Sequence, residues 1–189
     1  GGGSKGVLGT YSAVDYAISF ELVGLPQSIR YYIYCPRELA NWVEKQVLGA
    51  YQDAEFNEVA EHNIFSNDGK VSFASLEMTD EPYYPLKVAE EFDGDPMASI
   101  TSALSKFEEG EGAVIQLVIS PAGGSWAKDG RKFVSRVEEN NSDPEKKRIN
   151  VGQEQIQAIS KKCSHPGFSC ALRVVTTAKD ETSAKMHLN

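Results

Sequence analysis

The sequence predicts an α+β protein, in which strands and helices alternate in the manner of a ferredoxin-like α/β sandwich. Two observations support this prediction. Residues 18–59 have the pattern of strand, tight turn, strand, helix and strand. Beyond residue 80, further apolar strand patterns alternate with amphipathic helix patterns. We therefore expect residues 1–17 to be a linker or irregular N-terminus, residues 18–80 a first ββαββ-type module, and residues 81–189 a second α/β module that is truncated at its C-terminus.

The first two predicted strands carry the candidate interaction surface. Residues 18–23 alternate apolar and polar side chains, which is the period of a strand with one buried face. A turn around Pro26 follows, because proline presets the backbone for the first turn position. In the second strand, Arg30, Tyr32 and Tyr34 share one face. Aromatic side chains on a second face are typical of a covered central strand or of an exposed binding surface.

A helix is predicted over residues 37–51, because apolar residues recur there at steps of three and four. Trp42 lies at the centre of this apolar stripe. We expect it to be buried against the sheet, so that its replacement by alanine would cost about 3–5 kcal/mol. Further strands are predicted over residues 54–59 and 71–78, with a hairpin-type turn at residues 67–69.

The second half of the chain shows the same alternation of patterns. Asp95 and Pro96 are typical of a helix start, and the apolar stripe that follows them continues to Phe107. The remaining elements are predicted as an extended segment over 86–92, strands over 113–120 and 168–177, and helices from Ser125, over 152–163 and from Glu181.

Composition limits the classes of function. The 189 residues carry a formal charge of −8, with 41% apolar and 24% charged residues, as in an ordinary globular protein. No apolar run is long enough to cross a membrane. The largest basic group, residues 145–148, is short, and the acidic balance argues against direct nucleic-acid binding. Stacking of nucleobases on Tyr32 and Tyr34 remains as the alternative.

No catalytic, cofactor-binding or metal-binding constellation is recognisable in the sequence, and we assign no residue to these roles. A phosphate-binding loop is absent, because the Gly-Lys pair at residues 69–70 lacks the rest of that motif. Cys163, His165 and Cys170 lack a fourth zinc ligand. Cys35 and Cys170 lie in strand patterns, where buried free thiols are common, and a reducing compartment accounts for them. A small enzyme with an unrecognised site is a further alternative.

Several spaced motifs carry a resemblance to a known family. Residues 18–59 contain a strand, a turn, an aromatic strand ending in proline, and a helix that leads to Ala-Tyr-Gln-Asp-Ala-Glu at residues 50–55. Further motifs follow in order at residues 84–87, 95–97, 116–122, 126–130 and 162–168. This arrangement resembles a segment that precedes the motor in conjugative-DNA-transfer, type IV secretion coupling-type ATPases of candidate phyla radiation bacteria. Gln52 replaces the proline that is usual in that family.

The resemblance spans residues 18–179 and implies a non-catalytic accessory domain of unknown function. It implies a cytoplasmic location, tethered to the inner face of the membrane through a parent protein. The implied partners are other copies or domains of the parent ATPase and the secretion or DNA-transfer machinery. The catalytic residues of that family lie outside this chain, so no activity is carried over. We expect contacts between copies to be weak, leaving the isolated chain monomeric at micromolar concentration.

Overall fold

The computed structural model describes residues 16–59 and 69–188. Within them the chain forms five strands and five α-helices, and this composition confirms the predicted α+β class. A short 3-10 turn, Ala89–Glu91, lies between the third strand and the second helix. In chain order the elements are β1 (Ile18–Leu25), β2 (Ser28–Tyr34), α1 (Arg37–Ala50), β3 (Lys70–Leu76), α2 (Met97–Leu104), β4 (Gly112–Pro121), α3 (Ser125–Ser142), α4 (Gln153–Cys163), β5 (Phe168–Ala178) and α5 (Glu181–Met186).

The strands form one antiparallel sheet in the order β2-β1-β4-β5-β3. Strand β1 is paired with β2 on one side and with β4 on the other. Strands β2 and β3 are therefore the two outer strands of the described sheet. This arrangement of helices with one antiparallel sheet is compatible with the predicted ferredoxin-like sandwich.

The β1–β2 connection is a two-residue hairpin turn, in agreement with the turn predicted around Pro26. Leu25 and Ser28 are paired across it, which leaves Pro26 and Gln27 as the central residues. Gln27 has a φ of 58°, a left-handed conformation that glycine or asparagine usually provides at the second central position. The register that follows from this turn determines which side chains of β2 share a face.

The described residues fall into two compact units. The first consists of residues from the ranges 1–75, 104–120 and 170–189, and it contains almost the whole sheet together with α1 and α5. The second consists of residues 76–103 and 121–169, and it contains α3 and α4. The predicted domain bounds at residues 17 and 80 stay a prediction.

In the first unit, close packing occurs at the ends of the central strands. A side chain at Gly24 would meet Leu104, whose Cβ lies 2.9 Å from the position that a Cβ at Gly24 would take. Asp180 precedes helix α5 and caps it, since its side chain accepts a hydrogen bond from the backbone N–H of Ser183. The buried Thr176 hydroxyl donates to the carbonyl of Ala184 at 2.7 Å and thereby joins β5 to α5.

In the second unit, α3 and α4 form a helical hairpin around a small apolar core. The amphipathic stripes of both helices meet there, as expected for consecutive helices that pack against each other. Partly buried aromatic side chains, including Tyr83 and Phe133 stacked at 5.2 Å, pack against this core. The buried members of the core are Ala127, Val134, Val137, Ile156, Ile159 and Cys163.

Most predicted elements are present, but the burial of Trp42 is a wrong prediction. Helix α1 forms where the periodicity places it, yet the Trp42 side chain is 57% exposed. Val43, its neighbour in sequence, is the buried residue of this helix. The apolar stripe is broad enough that a rotation of about 100° decides which member faces inward, and sequence spacing does not define that rotation.

Three local predictions also need correction. Residues 54–59 are irregular instead of forming a strand, because no neighbouring strand pairs with them in the described sheet. Residues 86–92 contain the 3-10 turn instead of a continuous extended segment. Helix α2 ends at Leu104, one turn before Phe107. The predicted turn at residues 67–69 falls largely outside the described residues.

Candidate interaction surfaces

Strand β2 presents the predicted surface on one face. Arg30, Tyr32 and Tyr34 alternate along the strand, and the pairing with β1 places all three on the same side of the sheet. Arg30 is exposed, Tyr34 is partly exposed, and Tyr32 is half-buried. Because β2 is an outer strand, this surface lies at the margin of the sheet. The structure therefore brings the three residues together, and their role stays a prediction.

An acidic residue lies within this aromatic face. Glu21 of β1 is directly opposite Tyr32 on one side and Gln116 of β4 on the other. The Gln116 amide donates to Glu21 Oε1 at 2.6 Å, and the Ser19 hydroxyl donates to the same oxygen at 3.3 Å. The face therefore has a polar row across three strands. A carboxylate in its middle disfavours contact with a nucleic-acid backbone.

The opposite face of the same three strands is apolar. Pairing between directly opposite residues places aliphatic and aromatic side chains in adjacent rows. Tyr31 is well exposed on this face, and Phe20 and Leu117 are partly exposed. The apolar side chains are Ile18, Phe20, Leu22, Ile29, Tyr31, Ile33, Ala113, Ile115, Leu117 and Ile119.

The other outer strand, β3, exposes an aromatic side chain. Phe73 is 78% exposed and Val71, two residues before it, is exposed as well. The intervening Ser72 is buried, and its carbonyl lies 3.4 Å from the Thr176 hydroxyl. The side chains of Val71 and Phe73 on β3 thus face solvent, while the small polar side chain of Ser72 is buried. The sequence did not reveal this, because both alternating sets of β3 contain apolar and small polar residues.

A groove of about 360 Å³ lies along the α3–α4 hairpin. The Arg131 guanidinium is held beside it, because its Nη1 donates to the carbonyl of Cys163 at 2.9 Å. The groove combines apolar and hydroxyl-bearing walls, and it is lined by Arg131, Val134, Ser135, Ser160, Cys163 and Ser164. The spacing of these residues in the sequence does not predict the groove, since they come from two different helices and the residue after the second.

A partly buried ionisable contact joins the loop before β4 to the residue after α5. Glu111 accepts a hydrogen bond from the backbone N–H of Glu108 at 3.0 Å, and its other oxygen lies 3.0 Å from His187 Nε2. The Glu108 amide and then the His187 ring lower the pKa of the Glu111 carboxyl. Phe107 packs edge-on against the His187 ring. These contacts hold the C-terminal end of α5 against the loop before β4, which indicates a structural role.

The described residues contain neither a cluster of metal ligands nor a membrane-spanning helix. Among them, no group of three or more His, Cys, Asp and Glu side chains is placed to hold a metal ion. Cys163 is buried, whereas Cys170 is exposed, contrary to the expectation of a buried thiol in that strand. Within the same part of the chain, no helix has both the length and the hydropathy that a bilayer span requires.

Fold and surfaces together define a small α+β domain with apolar side chains exposed on its outer strands. The chain belongs to the family described as a domain of unknown function, DUF8128, whose model matches residues 6–189. This match confirms the part of the resemblance that implied a domain of unknown function. No curated protein and no solved structure gives a significant match to the chain.

Proposed function

We propose that this chain is a non-catalytic accessory or assembly domain that contacts other copies or other domains of a larger protein. The parent protein in this proposal is a DNA-translocation or type IV secretion-like ATPase. The domain lies near the membrane on its cytoplasmic side, and its own residues contribute contacts instead of chemistry.

The observation that carries the proposal is the exposure of Phe73 on β3. An outer strand presents backbone N–H and C=O groups on one side, and natural proteins usually protect such a strand with charges, prolines or a covering element. Here the outward side of β3 carries Val71 and Phe73. An aromatic side chain next to a strand edge supports recognition by another strand, which adds hydrogen bonds along the edge and contacts at alternate side chains.

The second outer strand supports head-to-tail contact between copies. Strand β2 exposes Tyr31 on its apolar face, at the opposite margin of the sheet from β3. Pairing of β3 in one copy with β2 in the next would be heterologous, which is the kind of contact that closes a ring or extends a filament. The association with a secretion-type ATPase is supported by the spaced motifs in the sequence, from residues 50–55 to residues 162–168.

Two other functions have weaker support. Nucleic-acid contact through Tyr32 and Tyr34 has Arg30 in its favour, but Glu21 lies in the same face. An enzymatic site has the α3–α4 groove in its favour, since Ser164 of its lining lies 3.1 Å from the His165 ring. The lining residues themselves include no carboxylate or imidazole that could act as a general base.

The proposal is tested by raising the effective concentration of the domain. We expect the single chain to sediment as a monomer at micromolar concentration. When two copies are joined by a flexible glycine-serine linker, the effective concentration of one copy around the other is roughly millimolar. Weak contacts between the copies then become detectable. Hydrogen exchange measured by mass spectrometry should then show slower exchange of the β3 amides in the joined copies than in the single chain.

Variants show whether the exposed Phe73 side chain causes the slower exchange of the β3 amides. Phe73→Ser in both joined copies should return the β3 exchange rate to that of the single chain. Tyr51→Ser is the matched control, since Tyr51 is also strongly exposed, at 70%, and lies outside the strands. A stable two-fold dimer of the single chain, or no protection of β3 in the joined copies, would contradict the proposal.

The association with an ATPase is tested separately by the gene that encodes the parent protein. We expect its reading frame to encode membrane helices before this domain and a phosphate-binding loop after it. A reading frame with neither feature would contradict the association with an ATPase. The proposed assembly role would then rest on the hydrogen-exchange experiment alone.

A further inference from the structure

A second surface lies in the other compact unit, along residues 76–97. This segment contains seven carboxylates and one lysine, a formal charge of −6 against −8 for the whole chain. The carboxylates belong to Glu77, Asp80, Glu81, Glu90, Glu91, Asp93 and Asp95. Within the described part of the chain, none of them lies in an ion pair. Most of the net charge of the chain is therefore concentrated in about 22 residues whose carboxylates form no ion pair in the described part of the chain.

The same segment exposes apolar side chains. Leu86 is 67% exposed, and the other large apolar residues on either side of the Tyr83–Tyr84 pair are also exposed. This density is unusual, because a solvated acidic loop has no need of large apolar side chains, and exposed apolar groups rimmed by polar ones are typical of an interaction site. The exposed apolar residues are Leu76, Met78, Leu86, Val88, Phe92 and Met97.

The middle of the segment is anchored to the helical hairpin. The Lys162 ammonium donates to the carbonyls of Pro82 and Tyr84, each at 2.6 Å. Tyr83 stacks on Phe133, and it fills the space that a side chain at Gly130 would take. The backbone of the segment is thus held at its centre, while both flanks face solvent.

The C-terminal flank is also held in a defined shape by its own contacts. The backbone N–H of Val88 donates to Glu91 at 3.0 Å, and the N–H of Met97 donates to Asp95 at 2.8 Å. The Lys87 ammonium lies 4.5 Å from the centre of the Phe92 ring. A surface ordered before binding loses less conformational entropy when a partner docks.

We propose that residues 76–97 form a docking surface for a positively charged amphipathic segment of a partner protein. Lysine and arginine side chains of the partner pair with the unpaired carboxylates. Its apolar side chains cover Leu86, Val88 and Phe92. This surface recognises a different kind of partner from the one proposed for the β3 edge, so the inference goes beyond the proposed assembly role.

Charge selects this partner over the other occupants of an apolar surface. A two-fold contact with a second copy would bring another segment of charge −6 against the first, and nucleic acids and anionic membranes carry the same sign. Complementary charges accelerate encounter and exclude partners of like charge, while apolar contacts slow dissociation.

The experiment uses two model peptides of about 18 residues, long enough to form a helix. One combines leucine with lysine and the other combines leucine with glutamate in the same pattern. Fluorescence anisotropy with the full chain should show binding of the lysine peptide and much weaker binding of the glutamate peptide. The affinity for the lysine peptide should fall as salt is added, because salt screens exposed charges.

Two variants of residues 76–97 separate the contributions of apolar contact and of charge to peptide binding. Leu86→Ser with Phe92→Ser should weaken binding of the lysine peptide at least about tenfold. Glu90→Gln with Asp93→Asn should weaken it and reduce its salt dependence. The double variant Tyr51→Ser and Met186→Ser, which removes strongly exposed apolar side chains elsewhere, should leave binding unchanged. All replaced side chains are exposed, so melting temperatures should stay close to that of the original chain.

Four outcomes would overturn the inference. The first is equal affinity for the two peptides, and the second is no binding of either peptide. The third is a segment variant that binds the lysine peptide with the same affinity as the original chain does. Binding of anionic vesicles in preference to the lysine peptide would likewise replace the protein partner with a membrane. None of these outcomes affects the exchange experiment on β3, so the two proposals fail independently.

Discussion

At the scale of single residues, Gly130 shows how one missing side chain fixes a local packing arrangement. It lies inside α3, where glycine is normally unfavourable. A Cβ at this position would lie 2.4 Å from Cys163 Sγ and 2.7 Å from Tyr83 Cβ. The glycine therefore allows α4 and the 76–97 segment to approach α3 closely.

Replacing Gly130 by alanine should destabilise the second unit, although alanine is the better helix former. We expect a loss of about 1–3 kcal/mol, the usual cost of overpacking, because both neighbours are part of the packed core. Urea unfolding followed by circular dichroism measures this loss.

Gly49 provides the matched control for that substitution. It lies in the last turn of α1, and no atom is within 4 Å of the position that a Cβ would take. Gly49→Ala should therefore stabilise the chain by about 0.5–1 kcal/mol. A stabilising effect at Gly130 as well would show that the close contacts with Cys163 and Tyr83 do not exist in solution.

At the scale of elements, helix α1 places a valine inward and a tryptophan outward. Val43 is 7% exposed, whereas most of the Trp42 surface is in contact with solvent. Val43→Ala should cost about 2 kcal/mol, because roughly two buried methyl groups are lost. Trp42→Ala should cost less than about 1 kcal/mol, since little surface is buried. Urea midpoints compare the two variants, and a larger loss for Trp42 would show that the indole is the buried member of the stripe.

The same helix illustrates how far sequence patterns predict this fold. Periods of 2 and 3.6 located β1, β2, β4, β5 and the helices, because a buried face needs that spacing whatever its partner is. The faces of β2 followed directly, and Arg30, Tyr32 and Tyr34 lie together as predicted. The orientation of α1 did not follow, since it depends on contacts distant in sequence. Residues 54–59 alternate like a strand but have no partner strand.

The candidate surfaces were less predictable than the elements. Exposure of Phe73 depends on which side of β3 faces inward, and β3 is contacted by Thr176, which lies 104 positions later in the sequence. The anchoring of residues 82–84 depends on Lys162, about 80 positions later in the sequence. Contacts of this kind leave no local periodic pattern.

At the scale of the whole molecule, the two units carry surfaces with different chemistry. The sheet of the first unit exposes apolar side chains at its outer strands, and the second unit exposes apolar side chains among carboxylates. Under the two proposals, the domain contacts copies of itself through one surface and a basic partner through the other. We expect both contacts to be weak in isolation, so that their strength in a larger protein depends on tethering.

The proposal that the chain is an accessory domain leads to one expectation for the molecule as a whole. The purified chain should release no phosphate from ATP above background, because the sequence lacks the glycine-rich loop and lysine that hold nucleotide phosphates in motors of that class. A phosphate-release assay with Mg²⁺ measures this. Lys70→Ala is the informative variant, since Lys70 follows glycine and is exposed at the start of β3. Hydrolysis by the original chain that disappears in this variant would show a catalytic site in the domain itself, and the accessory role would have to be abandoned.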